Sequence, residues 1–440
     1  MSDPTSPGTC LILDPGLRVS SGHHLNAARH IRDVAAELGF ETPLLASRFA
    51  TRAVVQGLGA HPVFTNSAYS TGDGTPKAYD RYARTTFDAL VSGLGPAFPL
   101  PELIVMPTGD AALAEALGRY LELFPKDLRP GVVTWLLLPR DFLRMNTPDS
   151  AGGAARGFHR LDAAVPAGRL RVFGETTAVQ ASFARDFSVP IELAPSPSTA
   201  LQALGPRRKV REGPITFSAF GHIRPGKGFE LLPGAIAHAL AARPDIRFCI
   251  HATPHKATQA DLDLLAAFEA LGPNVEVIGR EVSGAEYARL LERADVAVLP
   301  YDPAVYGERG SGIFNECAQL GTPVLATKGC SFAEAAIAAN RAVEIVDYSP
   351  QALGDAIIAA ADGFEDLSAR CYAHALDLAD GSASPDLGAV LRETARAAGA
   401  RIPRPKGALP LFLRARMLHR LREVARITTI RKARAHDSAD

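Results

Sequence analysis

The sequence predicts an α/β protein of two tandem Rossmann-like domains facing a cleft, and three observations carry the prediction. Short apolar runs bounded by turn residues alternate with stretches of helical apolar period, as in parallel sheets covered on both faces. The alternation breaks once, in "APSPSTALQALGPRRKVREGP" (194–214), which is rich in Pro, Ser and Arg, and then restarts. At 440 residues the chain is too long for one ordinary core. The expected organisation is a first domain over 1–197, a hinge over 198–213, a second domain over 214–383, and C-terminal helices with a basic tail over 384–440.

In the first half, "CLILDPG" from Cys10 suits a buried strand. It leads through "LRVSSGHH" into "HLNAARHIRDVAAELGF", where Leu25, Ala28, Ile31, Ala35 and Leu38 recur at helical spacing and Gly39 marks the stop. Strands are expected at "TPLLAS", "ELIVMP", "GVVTWLLLP", "RLRVFG" and "PIELAP". Helices are expected at "DAALAEALGRYLELF", with Thr108 and Asp110 as capping residues, and at "TAVQASFARDF".

In the second half, strands are expected at "ITFSAFG", "IRFCIHA", "VEVIG", "DVAVLPY", "TPVLAT" and "AVEIVD". Between them lie helices from about Gly228 to Ala241, over "DLDLLAAFEAL", over "SGAEYARLLERA" with Ser283 and Glu286 at capping-box spacing, and over "FAEAAIAAN", with more helix after "AVEIVD".

Hydrophobic residues make up 47% and charged residues 21%, and the formal net charge is zero, so nothing draws the chain as a whole to nucleic acid. Five dispersed cysteines without metal spacing read as reduced thiols. The opening "MSDPTSPGTC" lacks the charged and apolar regions of a secretion signal. No apolar run approaches the roughly 20 residues that span a bilayer. A cytoplasmic protein is expected.

The richest stretch is "YGERGSGIFNECAQLGTP", from Tyr306 to Pro323. It follows a buried strand ending near Pro300, where ligands bind in open α/β sheets. A helix starting at Ser311 or Gly312 offers unpaired N–H groups and a positive dipole end to a phosphate. Gly310 and Gly312 permit close approach. Glu316, one turn into the helix, suits the two hydroxyls of a ribose, and Glu308 stands where a sugar on that phosphate would project. The same features also fit a glycine-rich helix cap with two unrelated glutamates. A second loop, "FGHIRPGKGFELL", brings Arg224 and Lys227, cations suited to a departing diphosphate, or else to plain solvation. Gly22, after the first strand, would face the ligand from across the cleft.

Together these residues resemble retaining glycosyltransferases of the GT-B fold, in the GT4-type (glycosyl transferases group 1) family. "GERGSGIFNECAQLGTPVLA" resembles that family's glutamate pair with seven intervening residues, and "FGHIRPGKGFELL" its diphosphate loop. The resemblance is specific over about 215–346 and general over 10–195. It implies Glu308 on the donor sugar, Glu316 on the ribose, and Gly310, Ser311, Gly312 and Lys227 on the diphosphate. The family places Arg where this chain has His222, so either His222 or Arg224 takes the cationic role. The resemblance also implies that no metal or other cofactor is required, because positive groups and a helix end take the ion's place at the leaving diphosphate, and that no protein base is required, because the departing phosphate oxygen takes the acceptor's proton. A UDP- or GDP-linked sugar is the expected donor. On the acceptor side the candidates are His23 and His24, with Arg140 and Asp141 in "LPRDFLRM".

The tail from 401 to 440 carries eleven Lys/Arg against three Asp/Glu. Over 408–434 it reads as a basic amphipathic helix, suited either to an anionic membrane surface or to packing on the body. The first fits peripheral attachment at the inner face of the membrane and a glycan or lipid-linked oligosaccharide acceptor in surface polysaccharide synthesis. Two other readings share the architecture: a sugar-nucleotide epimerase, and a non-catalytic sugar-nucleotide binder within a glycan assembly complex. A nicotinamide-dependent dehydrogenase does not fit, because neither half has GxGxxG after its first strand.

Overall fold

The first apolar run becomes strand β1 (Cys10–Asp14), buried at all five residues, and takes a central place in a seven-stranded sheet. The computed structural model describes residues 8–19, 22–66, 75–94, 101–140, 148–197, 204–210, 213–254, 258–382 and 384–399. After β1 come α1 (Gly22–Glu37), β2 (Leu44–Ser47), α2 (Arg52–Leu58), β3 (His61–Phe64), α3 (Pro76–Leu94), β4 (Leu103–Met106) and α4 (Ala111–Leu121). The first domain closes with β5 (Gly131–Leu136), α5 (Pro148–Ala164), β6 (Leu170–Gly174), α6 (Thr177–Phe183) and β7 (Ile191–Leu193). The strand order is β3-β2-β1-β4-β5-β6-β7, parallel throughout.

The second domain begins with β8 (Thr216–Ile223), α7 (Leu232–Ala242), β9 (Arg247–Pro254), α8 (Gln259–Glu269), β10 (Val275–Ile278), α9 (Gly284–Arg293) and β11 (Val296–Leu299). It continues with α10 (Pro303–Tyr306), α11 (Gly312–Leu320), β12 (Val324–Thr327), α12 (Ser331–Ala338), β13 (Ala342–Ile345), α13 (Pro350–Asp362), α14 (Phe364–Ala379) and α15 (Leu387–Ala397). Its six strands run β10-β9-β8-β11-β12-β13, again all parallel. The two doubly wound sheets match the fold class predicted from the alternation.

Each sheet is apolar on both faces because successive side chains of a strand point to opposite sides. Leu11 and Leu13 join one apolar layer while Cys10 and Ile12 join the other. Val296 and Val298 likewise part from Ala297 and Leu299. Truncating one such buried Leu to Ala costs about 2–5 kcal/mol. All five cysteines are buried free thiols.

Five elements were not anticipated: α2, β3, α3, α5 and the single-turn α10. Strand β3, "HPVF", carries Pro62 and exposes its first two residues, which is tolerated because it is a sheet edge. Helix α4 starts on Asp110, whose carboxylate accepts from the N–H groups of Ala112 and Leu113. Ser283 caps α9, but Glu286 pairs with Arg280 instead of completing the box.

Of the hinge, 204–210 is described, and it is tied to the second domain: Arg207 N donates to Leu320 O at 2.9 Å and Ser368 Oγ to Lys209 O at 2.5 Å. Helix α15 returns to the first domain, where Val390 and Leu391 pack in one layer with Leu25 and Trp135. Among the described residues no helix is long and apolar enough to cross a membrane.

Candidate active site

In both sheets the strand order reverses beside the first strand, between β1 and β4 and between β8 and β11. Crevices at the carboxyl ends of those strands take ligands. There the start of α1 carries Gly22 to His24, the end of β8 and the loop after it carry His222 to Gly228, and the segment from β11 to the start of α11 carries Tyr301 to Gly312.

The loop after β8 is pressed onto the end of β11. Gly228 has φ +71°, and a β-carbon there would fall 1.8 Å from Pro300 O, so only glycine fits. This contact delivers Lys227 into an aromatic cage. Its ammonium donates to Tyr301 Oη and lies 3.8 Å from the Tyr301 ring centroid and 5.3 Å from that of Tyr306. Burial and the neighbouring Arg224 lower its pKa to about 7, with Glu316 opposing. Arg224 itself is exposed and donates from Nη2 to Tyr306 Oη at 3.0 Å. Arg309 lies over the Tyr306 ring at 5.4 Å. His222 is exposed, with Nδ1 3.7 Å from Glu281 Oε1. Of the two candidates for the missing cation, Arg224 therefore stands beside Lys227, and His222 stands against Glu281.

Helix α11 starts where the sequence indicates. Ser311 is its N-cap and accepts from Phe314 N at 3.3 Å. The N–H groups of Gly310, Ser311 and Gly312 have no acceptor among the described residues, so the positive helix end is available to an anion. Glu316, one turn in, is buried and accepts from Tyr287 Oη at 2.8 Å. Burial raises its pKa to about 7, while the Tyr287 hydrogen bond and Lys227 pull it back. Glu308 is exposed, its carboxylate has no partner among the described residues, and its backbone carbonyl accepts from Thr176 Oγ1 of the first domain at 3.0 Å.

On the first-domain side, Gly22 opens α1 with φ +83°. His23 stacks on His24 with centroids 4.1 Å apart. His23 is exposed at its surface, and the protein packed around it, then His24 and Arg224, lower its pKa, with Asp14 opposing. His24 Nδ1 lies 2.8 Å from Asp14 Oδ1, and the buried Asp14 also accepts from Gly16 N at 3.0 Å. Asp14 was not singled out from sequence, although a lone acid closing an apolar strand was the available signal. Arg140 is anchored beyond α6, with Nε 3.1 Å from Asp186 Oδ2. Asp141 and 408–434 lie outside the described residues.

Two further residues reach this site from the turn after β6. Besides Thr176, Glu175 meets α11: Asn315 Nδ2 donates to its Oε1 at 2.9 Å. A β-carbon on Gly310 would fall 1.9 Å from Glu175 Oε2, so this glycine makes room for a carboxyl from the other domain. Burial raises the Glu175 pKa to about 7, against the Asn315 hydrogen bond. Behind this contact a cavity of about 760 Å³ opens on the hinge side, between Pro197 and Gly205, with none of the donor candidates in its lining. Among the described residues no group of His, Cys, Asp and Glu is placed to hold a metal ion.

Comparison with known proteins gives one family match. The model described as "Glycosyl transferases group 1" matches residues 206–374. No curated protein matches the sequence. Among solved structures, a glycosyltransferase from Rickettsia africae aligns with TM-score 0.59 and 12% identity over 90% of this chain and 98% of its own. Anabaena Alr3699/HepE in complex with UDP aligns with TM-score 0.57 and 14% identity over 89% and 100%. A putative UDP-N-acetylglucosamine 2-epimerase from Listeria monocytogenes aligns with TM-score 0.55 and 11% identity over 86% and 99%. At these identities the three structures share the fold.

Proposed function

We propose a reaction for this enzyme, a glycosyltransferase of the GT-B fold whose residues 206–374 belong to the glycosyl transferases group 1 family. It moves a sugar from a UDP- or GDP-linked donor, with retention of anomeric configuration, to a glycan or lipid-linked oligosaccharide. One observation carries the reading. A cation-lined helix end (Lys227, Arg224 and the free amides of Gly310 to Gly312) lies one turn from the buried carboxylate of Glu316.

In this reading the diphosphate sits on the start of α11, and Lys227 and Arg224 offset its negative charge as the sugar–oxygen bond breaks. Those cations supply the countercharge that a metal ion supplies in other transferases. Glu316 accepts from the two ribose hydroxyls. Glu308 holds the sugar on the open side of the loop. The departing phosphate oxygen takes the acceptor's proton on the face where the new bond forms. His23 and His24 border the acceptor from the first domain. The likeness to Anabaena Alr3699/HepE with UDP favours a uridine donor. The epimerase reading shares the fold, but it leaves the Glu308 and Glu316 pair without a task and needs no acceptor. The enzyme works in the cytoplasm, peripherally at the inner membrane face, in surface polysaccharide synthesis.

The test is a thermal-shift screen with UDP, GDP, ADP and their sugars, followed by product analysis with the donor that binds. A rise of several degrees with one nucleotide family and a product of unchanged anomeric configuration are expected. An inverted product removes the retaining mechanism, and 2-epimerised free nucleotide sugar removes the transferase reading.

A further inference from the structure

The loops beyond β1 and β2 leave a basic and apolar rim on the first domain that the donor chemistry does not use. Arg18, Val19, Arg48, Phe49 and Arg52 are exposed there, with Val19 at 53% and Phe49 at 61% accessibility. The two loops are joined: Thr51 N donates to Arg18 O at 2.8 Å, and the Arg18 guanidinium lies over the Phe49 ring at 5.6 Å. Arg52 bonds only Gln56, and none of the three arginines has a carboxylate partner among the described residues. The sequence explains why, since 15–32 and 42–72 contain no Asp or Glu. Gly22, His23 and His24, at the start of α1, follow Val19 closely in the chain.

We infer that this rim docks on the surface of an anionic lipid bilayer, with Arg18, Arg48 and Arg52 on lipid phosphates and Phe49 and Val19 in the interface. Charge complementarity selects the anion, and the apolar pair selects the bilayer. A soluble phosphorylated ligand would use the guanidinium groups and gain nothing from a phenyl ring held out in water. Seated this way, the first domain presents His23 and His24 to an acceptor that rises from the membrane. The inference thus rests, for its purpose, on the lipid-linked acceptor proposed above.

The experiment uses the full chain with Phe49→Cys carrying an environment-sensitive dye. The native cysteines are all buried, so the label goes to this position. A blue shift is expected on adding vesicles of two parts phosphatidylcholine to one part phosphatidylglycerol, and none with phosphatidylcholine alone or with inorganic phosphate. Adding Arg18→Ala, Arg48→Ala and Arg52→Ala should lower the vesicle partition coefficient at least tenfold. Unchanged dye emission overturns the inference, whether or not the protein pellets with the vesicles; pelleting without a shift assigns the binding to another part of the chain. A shift with phosphate alone overturns it in favour of a small-anion site. The nucleotide thermal-shift screen on unmodified protein is independent: no response there, with docking intact, removes the donor reading and leaves the membrane surface standing.

Discussion

Asn315 on α11 and Glu175 after β6 join the two domains beside the start of α11, through a hydrogen bond of 2.9 Å. Glu175 is not a donor ligand in this account. It ties the acceptor-side domain to the loop that Gly310 keeps open, and Thr176 makes a second tie to the carbonyl of Glu308.

This tie has a measurable strength. A double-mutant cycle of Glu175→Ala and Asn315→Ala, read by chemical denaturation, should give a coupling of about 0.5–1.5 kcal/mol. Additive losses would mean that the pair does not hold the domains together. The Glu175 pKa is raised in the folded state to about 7. Its contribution is therefore full below the unfolded-state carboxyl range and is lost as pH rises through about 7. Glu175→Gln should remove that part of the pH dependence of stability.

Glu308 is exposed and unpaired among the described residues, and the proposed reaction places it on the donor sugar. Glu308→Ala should lower turnover by about a hundredfold or more while nucleotide binding changes little, because the side chain acts on the sugar and not on the nucleotide. Initial rates with the identified donor, beside calorimetric binding of the bare nucleotide, make the comparison. Equal losses in both would move Glu308 out of the sugar site.

The sequence carried one part of this site well. Glu308, Gly310, Ser311, Gly312 and Glu316 are local in the chain, and helix spacing alone brings the Ser311 cap, the first helical amides and the Glu316 carboxylate within about one turn. Glu175, Thr176 and Asn315 were not legible, because their meeting depends on how two separate sheets face each other. The cage of Tyr301 and Tyr306 was missed for a different reason. Both residues sit in quoted stretches, but only the fold shows the ammonium of Lys227 seated against them. In the fold itself the buried strands were evident as apolar runs, whereas β3 was hidden by its proline and exposed edge, and α3 by polar residues such as Lys77, Asp80 and Arg84 along its length.

Lys227 and Glu316 make the site sensitive to pH. Lys227 is lowered to about 7 from 10.5, so its stabilising contribution holds above 10.5 and is lost as pH falls through about 7. Glu316 is raised to about 7 from 4.5, so its contribution holds below 4.5 and is lost as pH rises through about 7. Without ligand, Glu316→Gln should therefore raise Tm relative to the parent at pH 8 and lose that advantage by pH 5. The same variant should bind nucleotide more weakly by about tenfold, through the lost ribose contacts. Melting curves at both pH values check the sign.

Gly228 holds the loop after β8 against the end of β11. Gly228→Ala places a β-carbon 1.8 Å from Pro300 O at φ +71°, so the loop has to move. A stability loss of about 2–4 kcal/mol is expected, together with weaker nucleotide binding because Lys227 leaves its cage. Tm and nucleotide affinity should fall together, and a variant with parental values for both would mean that the loop is not held by this contact.

The most direct measurement is a crystal structure of the protein with the nucleotide that stabilises it. Phosphate oxygens are expected within hydrogen-bonding distance of the N–H groups of Gly310 to Gly312 and of Lys227, with the ribose hydroxyls on Glu316. A nucleotide bound elsewhere, with the start of α11 filled by the Glu175 carboxyl instead, would contradict it.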